Sequence, residues 1–149
     1  MKKKFMDLAF KYAEMAYNKD EVPIGAVIVK DDEVISFGYN LKEINHSVLE
    51  HAELIAIKEA ENVLGNWRLE DCDLYVTLDP CPMCASAIKQ SRIKNVYSAL
   101  NNSDEKNLSI ITDIFQSDKV NPEVCFLSNL DIDRSKKLLN SFFKKQRNK

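Results

Sequence analysis

The segment Asp73-Leu-Tyr-Val-Thr-Leu78 is followed directly by Asp79-Pro-Cys-Pro-Met-Cys84, and together they predict a strand, a turn and the start of a helix. The first segment is mostly apolar, aromatic or β-branched, which is typical of a buried strand. Pro80 ends that strand, and Pro82 suits the first position of a helix, where a missing N–H leaves no hydrogen bond unmade. Both cysteines are therefore expected on the first turn of a helix that follows a strand.

Outward from this unit, the chain predicts helices packed on both faces of a mixed sheet. The expected helices cover about residues 3–18, 50–64, 82–91, 108–116 and 132–145, and the expected strands about 24–29, 33–38, 73–78, 94–100 and 124–127. The polar pair Asp31-Asp32 between the first two strands predicts a β-hairpin. No repeat, linker or change of composition divides this order, so we expect residues 1–149 to form a single α/β domain with a mixed five-stranded sheet.

The composition excludes several other classes of protein. The chain has 149 residues, of which 45% are hydrophobic, enough to bury a core and too many for a disordered chain. Three Gly and four Pro exclude collagen-like and low-complexity sequences. No apolar run approaches the roughly 18–20 residues that span a bilayer, and the basic start lacks the apolar region of a signal peptide. We therefore expect a cytoplasmic protein that does not bind membranes.

Charge is distributed unevenly along the chain. Residues 134–149 contain seven Lys or Arg and no acid, and because the net charge is −2, the first 133 residues carry −9. A basic end on an acidic body can bind a phosphate backbone. Basic residues also complement the dipole at the C-terminus of a helix, so charge alone leaves both interpretations open.

His51 and the cysteines of Cys81-Pro-Met-Cys84 are candidate metal ligands. Zinc binds thiolate and imidazole tetrahedrally, and residues three apart on a helix present their side chains to one side. Three protein ligands leave one position for water, as in catalytic zinc sites, whereas a structural site closes with a fourth side chain. His46 is the candidate for that fourth ligand, since we expect Cys72 and Cys125 to be buried thiols elsewhere on the sheet.

Glu53 is the candidate residue for proton transfer. It follows His51 by two residues at the start of a predicted helix, where it could reach the open position of a zinc ion without binding the metal. Alone, a carboxylate at a helix start is explained by the helix dipole, but beside three candidate ligands the catalytic interpretation is preferred. A thioredoxin-like CxxC motif is the alternative for the cysteines, and it leaves His51-x-Glu53 unexplained.

The motif His51-Ala-Glu53, followed thirty residues after the histidine by Pro-Cys-x-x-Cys, is the signature of cytidine-deaminase-like zinc deaminases. Further segments resemble, in order, those of the bacterial tRNA adenosine deaminase family. They are Glu21-Val-Pro-Ile-Gly-Ala-Val27, Gly38-Tyr-Asn40, Asn66-Trp-Arg-Leu69, Leu74-Tyr-Val-Thr-Leu78, Ser91-Arg-Ile93 and Phe142-Phe143. The resemblance extends over essentially the whole chain.

This resemblance implies a three-layer α/β/α fold of the cytidine-deaminase-like type, with residues 1–149 forming one zinc deaminase domain of the CMP/dCMP type. It implies a homodimer and the hydrolytic conversion of the wobble adenosine of a tRNA anticodon to inosine. It also implies one catalytic Zn²⁺ per chain, with Glu53 as the catalytic residue and with the ligands His51, Cys81 and Cys84.

The same resemblance suggests which residues bind the substrate. Asn40 would hydrogen-bond the target base or its sugar, although a turn residue after a strand is the alternative interpretation. The remaining candidates for substrate binding are Ala52 and Pro80. The candidates for contact with RNA lie in the basic C-terminal helix and are Lys136, Lys137, Lys144, Lys145 and Arg147.

The sequence departs from the usual pattern of the family at three places. Asp79 stands where the family usually has Glu. Residues 98–107 lack the glycines of the usual loop beside the active site, with Asn102 near its usual Asp, while Asp104-Glu105 add negative charge where an RNA backbone would approach. The later segment Val120-Asn121-Pro122-Glu123 has lost basic groups.

Two substrate classes therefore stay open. A tRNA anticodon is favoured because the basic helix with Phe142-Phe143 is retained, and the alternative is a free nucleobase or nucleoside such as guanine, cytosine or adenosine. A zinc-stabilised RNA-binding module without catalysis is a third possibility, and it requires Glu53 to have no chemical role.

Overall fold

The computed structural model describes residues 1–101, 105–117 and 122–149. Asn102, Asp104, Val120 and Asn121, where the sequence departs from the family, lie outside the described residues. Within the described part, the helices are α1 (Lys3–Asn18), α2 (Ala52–Leu64), α3 (Pro82–Ser91), α4 (Glu105–Gln116) and α5 (Ile132–Arg147). The strands are β1 (Gly25–Lys30), β2 (Glu33–Tyr39), β3 (Cys72–Val76), β4 (Asn95–Ser98) and β5 (Cys125–Leu127).

The five strands form one mixed sheet in the order β2-β1-β3-β4-β5. β1 runs antiparallel to both β2 and β3, whereas β3, β4 and β5 run parallel to one another. Asp31 and Asp32 connect β1 to β2 with φ values of 50° and 66°. Positive φ at both central residues is the requirement of a two-residue type I′ turn. The predicted hairpin and the predicted mixed sheet are both confirmed.

Alternate residues of the strands face two different helical layers, because successive side chains of a strand point to opposite faces. Ala26 and Ile28 of β1 are buried against α2, α3 and α4. Val27 and Val29 are buried on the other face, against α1 and Leu138 of α5. This arrangement confirms the three-layer α/β/α fold. No helix in the described part of the chain is long and apolar enough to cross a bilayer.

Two glycines let helices approach the sheet backbone closely. A Cβ atom on Gly25 would lie 2.1 Å from the carbonyl oxygen of Ala9 in α1, and one on Gly38 would lie 2.2 Å from that of Ala52 in α2. Cβ atoms do not occur at such distances, so a side chain at either position would push a helix away. The contact at Gly38 matters for the site, because it seats the first turn of α2 directly on β2.

Two predicted boundaries, the end of β3 and the start of α4, differ from those of the structure. β3 ends at Val76, because the Thr77 carbonyl accepts a hydrogen bond from the Ser135 hydroxyl of α5 at 2.6 Å. α4 begins at Glu105, earlier than predicted, and the helix dipole favours a carboxylate in that first turn.

The two cysteines outside the CxxC motif differ in exposure. Cys72, at the start of β3, is buried as predicted. The prediction that Cys125 is buried was wrong, since its side chain is exposed. Cys125 lies on the edge strand β5. The next residue, Phe126, faces the opposite side of the sheet, where its ring packs against Phe115 at 5.2 Å between centroids.

Candidate metal centre

The N-termini of α2 and α3 bring the candidate ligands together. His51 immediately precedes α2 in an extended conformation, with φ −84° and ψ 149°. Cys81 precedes α3 in the same way, with φ −72° and ψ 169°, and Pro82 occupies the start of that helix as predicted. The positive end of a helix dipole stabilises nearby thiolates, so both helices favour an anionic ligand set at this point.

The ligand atoms fit a tetrahedral metal ion. Nδ1 of His51 lies 3.7 Å from Sγ of Cys81 and 3.4 Å from Sγ of Cys84. All three ligand atoms lie within 4.8 Å of one another. At the bond lengths of a tetrahedral zinc site, ligand atoms lie about 3.5–3.8 Å apart. The residues therefore fit zinc in both chemistry and spacing.

The group has three members in the described part of the chain, with no fourth side chain. His46, the candidate fourth ligand from the sequence, is exposed in the loop before α2 and does not join the group. Cys72 lies at the opposite end of β3 from the CxxC motif, and Cys125 lies on the edge strand. A three-ligand set is that of a catalytic zinc site, which keeps one position for water.

The hydrogen bond between the two cysteines shifts their pKa values in opposite directions. A hydrogen bond from the Cys84 thiol is the main cause that lowers the pKa of Cys81 to about 5. Burial raises this pKa, whereas the amides of Cys84 and Met83 and the charge of His51 lower it further. The pKa of Cys84 is raised, because its proton makes that hydrogen bond and because the side chain is buried. Metal binding replaces such protons, so zinc affinity at this pair depends on pH.

The carboxyl group of Glu53 lies beside the ligands and is almost fully buried, with 4% of the residue exposed. Burial is the main cause that raises the pKa of Glu53 to about 7, and the charge of Cys81 also raises this pKa. Hydrogen bonds with its own backbone amide and with Cys84 lower the same pKa. A carboxyl group with a pKa near neutrality can both accept and return a proton under physiological conditions.

Asn40 connects the end of β2 to the start of α2. Its backbone amide donates to the carbonyl of Ile24 at 3.2 Å, and its Oδ1 accepts from the amide of Ala52 at 2.9 Å. In the described part of the chain, its Nδ2 amino group makes no hydrogen bond with protein. Asn40 is thus a structural residue through its oxygen, and its nitrogen is free to donate to a ligand.

The other two candidates for substrate binding flank the ligands in sequence. Ala52 is fully buried between His51 and Glu53. Pro80 is also buried and directly precedes Cys81. Both are therefore adjacent to the candidate ligands, and their role in substrate binding stays a prediction.

A buried carboxylate at Glu21 fixes the loop that leads to His51, a role that the sequence analysis missed. Its two oxygens accept hydrogen bonds from the amides of Glu43 and Ile44 at 3.0 and 2.9 Å. The sequence analysis did include Glu21, as the first residue of a segment that resembles the deaminases. Its partners lie about twenty residues away in a polar loop, and no local pattern indicates such a pairing.

All five candidate RNA contacts are exposed on α5, and their contact with RNA stays a prediction. They are not equivalent, because the ammonium of Lys145 lies 3.5 Å from Asp20 and 5.1 Å from the ring centroid of Tyr17. Lys136 lines a cavity of about 600 Å³ whose wall includes Phe143 of α5 and Leu78, which precedes the metal-binding loop. This cavity lies between the basic helix and the segments that follow β3 and β4.

Sequence comparisons identify relatives over nearly the full chain. Residues 1–100 match the family model described as the cytidine and deoxycytidylate deaminase zinc-binding region. A tRNA-specific adenosine deaminase of Bacillus subtilis is 37% identical over 145 residues, which cover 97% of this chain and 90% of that protein. A tRNA-specific adenosine deaminase of Aquifex aeolicus is 41% identical over 150 residues, covering 99% of this chain and 97% of that protein.

Structure comparisons agree. A structure from a study of A-to-I editing by tRNA:A34 deaminases superposes with a TM-score of 0.85 and 36% identity, covering 93% of this chain and all of that one. A guanine deaminase from Bacillus subtilis superposes with a TM-score of 0.67 and 32% identity, covering 100% and 96%. The chain belongs to the tRNA-specific adenosine deaminase family of cytidine-deaminase-like zinc enzymes.

Proposed function

We propose that this protein hydrolytically deaminates the wobble adenosine of a tRNA anticodon to inosine. The observation that carries the proposal is the convergence of the ligand atoms of His51, Cys81 and Cys84 within 4.8 Å, next to the buried carboxyl of Glu53. Identities of 37% and 41% to tRNA-specific adenosine deaminases support adenosine in tRNA as the substrate.

We assign the three ligand side chains to one Zn²⁺, which when bound lowers the pKa of water to about 7 and supplies a nucleophile at neutral pH. Glu53 takes the proton released from the water that adds to C6 of adenine, and delivers it to a ring nitrogen. The proton of the hydroxyl group now on C6 then passes through the same carboxyl to the exocyclic amino group, which leaves as ammonia while C6 becomes a carbonyl. One carboxyl group suffices because the two transfers occur in sequence.

The substrate-binding residues follow from the same geometry. Asn40 holds α2 in place through Oδ1, and we propose that its Nδ2 donates to the base or its sugar. Ala52 and Pro80 are buried next to the candidate ligands, and we propose that they support the pocket for the flipped adenine from behind. A base must leave its stack to reach such a pocket, which is easiest in a single-stranded loop.

We propose that α5 binds the rest of the anticodon. Its exposed cations, Lys136 foremost, would contact phosphates, and this contribution is strongly salt-dependent. The two adjacent phenylalanines have different roles. Phe142 is buried against Tyr17, whereas 45% of Phe143 is exposed at the 600 Å³ cavity. An exposed aromatic ring beside basic groups is suited to stack on an unpaired base.

We also propose that the protein forms a homodimer through the face beside His51. Three large apolar side chains are exposed there, at 44% for Phe37, 61% for Val48 and 59% for Leu49. Phe37 and Leu49 border a shallow cavity of about 730 Å³ that continues along α2 to Leu54. Contiguous exposed apolar surface is typical of an interaction site, and a second copy of the chain is the partner that the family resemblance indicates.

Guanine deamination is the alternative function, because the Bacillus subtilis guanine deaminase is 32% identical over nearly the whole chain. Ammonia release from a panel of substrates separates the two functions. The panel comprises an anticodon stem-loop with a wobble adenosine, adenosine, adenine, guanine, cytosine and cytidine. We expect turnover of the stem-loop, with inosine at the wobble position. Turnover of guanine with an inert stem-loop would replace the proposal by the alternative.

A non-catalytic zinc module is tested by the variant Glu53→Ala in the same assay. We expect it to keep the fold and the zinc and to lose turnover. Glu14→Ala is the matched control, because Glu14 is an exposed carboxylate on α1, away from the candidate ligands and from the cavity bordered by Phe37 and Leu49.

A further inference from the structure

Asp79 holds the metal-binding loop to the connection that precedes α5. The hydroxyl of Ser128 donates a hydrogen bond to Oδ1 of Asp79 at 2.5 Å. The backbone amide of Asp79 donates to the carbonyl of Leu100 at 2.9 Å, just beyond β4. Only 4% of Asp79 is exposed. Its side chain and its backbone are therefore both fixed, two residues before Cys81.

The connection that contains Ser128 is itself fixed to the sheet. The amides of Leu130 and Asp131 donate to the carbonyls of Ser98 and Ala99 at 3.1 and 3.0 Å. This places Ser128 on a rigid support between β5 and α5. Because Leu130 and Asp131 directly precede α5, the Ser128 hydrogen bond joins Asp79 to the same support from which α5 begins.

We infer that Asp79 is a positioning residue of the deamination reaction. Through its hydrogen bond with Ser128, it holds the sulfur of Cys81 at a fixed position relative to α5. This role rests on the proposed function, because a fixed distance between the metal-binding loop and α5 affects the reaction only when both segments contact the same RNA. Neither Asp79 nor Ser128 is a metal ligand, and neither belongs to the ligand cluster.

A carboxylate is suited to this position for a physical reason. A hydrogen bond to a charged acceptor is shorter and roughly twice as strong as one between neutral groups. Loss of the donor would leave a buried oxygen of Asp79 without that hydrogen bond, so the loop would rearrange. A Glu side chain, longer by one methylene, would not meet Ser128 at the same backbone spacing.

A purely structural role for Asp79 makes a different prediction, and Ser135 supplies the control. The Ser135 hydroxyl donates to the carbonyl of Thr77 at 2.6 Å, so it also joins α5 to the end of β3 by one short hydrogen bond. Its partner Thr77 lies four residues before Cys81, whereas Asp79 lies two residues before it. If hydrogen bonds from this segment only stabilise the fold, Ser128→Ala and Ser135→Ala should have the same effects.

The experiment compares Ser128→Ala, Asp79→Asn and Ser135→Ala in the full-length protein loaded with cobalt(II) or zinc. The readouts are the cobalt–thiolate absorption spectrum, the rate of zinc transfer to a chelator, and kcat and KM on the anticodon stem-loop. Loss of a residue that orients a metal ligand typically costs 10–100-fold in metal affinity or activity. We therefore expect Ser128→Ala to shift the cobalt spectrum, to accelerate zinc transfer by roughly tenfold or more, and to lower kcat more than it raises KM.

Ser128→Thr keeps the hydroxyl group and should restore all three readouts, while Asp79→Asn keeps an acceptor oxygen and should give an intermediate effect. Ser135→Ala should lower the Tm without changing the cobalt spectrum. A wild-type spectrum and zinc-transfer rate in Ser128→Ala, or equal changes in Ser135→Ala, would overturn the inference. An inert stem-loop with the wild-type enzyme would instead refute the proposed function, and the spectra would still decide whether Asp79 positions Cys81.

Discussion

The amide of Ala52, at the first residue of α2, donates a hydrogen bond to Oδ1 of Asn40 at the end of β2, with a distance of 2.9 Å. Ala52 lies between His51, a candidate ligand, and Glu53, the proposed proton-transfer residue, so this bond joins both to the strand that leads to the candidate substrate contact. The close contact at Gly38 reinforces the same junction. The substrate and metal sides of the site therefore form one structural unit.

Two substitutions of Asn40 separate its structural role from substrate binding. Asn40→Asp keeps an acceptor for the Ala52 amide but removes the Nδ2 donor, so we expect nearly unchanged stability and a clearly raised KM. Asn40→Ala removes both groups and should also lower the free energy of unfolding by about 1 kcal/mol, the usual effect of losing a helix N-terminal acceptor. Chemical denaturation and steady-state kinetics measure the two effects.

Asn66→Ala is the control for Asn40, because the Oδ1 of Asn66 also accepts a backbone amide, that of Arg68, at an exposed turn. It should leave KM unchanged. A wild-type KM for Asn40→Asp would exclude the substrate contact.

Removal of any one candidate ligand should abolish zinc binding. His51→Ala, Cys81→Ser and Cys84→Ser each leave two of three ligands, so we expect zinc content to fall from one ion per chain to a small fraction, with loss of turnover. Cys125→Ser is the matched control, because that thiol is exposed on the edge strand. Metal analysis of the purified variants measures the content. Full zinc content in any of the three variants would remove that residue from the ligand set.

Local signals in the sequence predicted the parts of the molecule that depend on neighbouring residues. The strand, turn and helix around Cys81 follow from Pro80 and Pro82, and the approach of the two sulfurs follows from helix geometry. His51 was grouped with them from the ligand chemistry of zinc and from the signature, since no local pattern brings residues thirty positions apart together.

Contacts between distant segments could not be predicted from the sequence. The reach of Glu21 to the loop before α2, the bond from Ser128 to Asp79 and the exposure of Cys125 all depend on the order of the strands and on which strand lies at the edge. Hydrophobic periodicity gives the buried face of an element but not its neighbour. This is why the ligand set could be proposed from the sequence and the residues that position it could not.

The metal-free protein should show the titration of Glu53 in its stability. Burial raises the pKa of Glu53 from 4.5 to about 7. Between these values the unfolded chain loses the proton and the folded chain keeps it, so the folded state is favoured at low pH and loses that advantage as pH rises. Glu53→Gln cannot ionise, and we expect its stability relative to wild type to increase by about 3 kcal/mol from about pH 4 to pH 8.

Denaturation of both proteins with a chelator present, at a series of pH values, measures this difference. The lowered pKa of Cys81 acts in the opposite direction, favouring the folded state as pH rises, but it is present in both proteins and largely cancels in the comparison. Parallel stability curves for wild type and Glu53→Gln would contradict the raised pKa.

The oligomeric state tests the apolar face beside His51. Leu49→Glu places a charge on a side chain that is 59% exposed, and we expect it to convert the dimer to a monomer, because burying an unpaired carboxylate in an interface is unfavourable. Val63→Glu is the matched control, since Val63 is 53% exposed near the other end of α2. Light scattering coupled to size exclusion gives the mass of each variant. A monomeric wild type, or dissociation by Val63→Glu alone, would exclude this face.

The lysines of α5 should differ in their contribution to RNA binding. Lys136 lines the cavity that also contains Phe143, and its ammonium makes no ion pair in the described part of the chain, so it is available to a phosphate. Lys145 lies 3.5 Å from Asp20, and release from that carboxylate would offset part of any gain from a phosphate. We therefore expect Lys136→Ala to weaken stem-loop binding more than Lys145→Ala.

Binding measured at several salt concentrations distinguishes a phosphate contact from a general loss of structure. Removal of one phosphate contact should reduce the slope of log K against log salt by roughly 0.7–0.9. We expect that change for Lys136→Ala and a smaller one for Lys145→Ala, whose loss leaves Asp20 paired with Lys149 at 2.6 Å. Equal slopes for wild type and Lys136→Ala would show that this end of α5 does not contact the RNA backbone, because a cation that neutralises a phosphate necessarily releases a counterion from it.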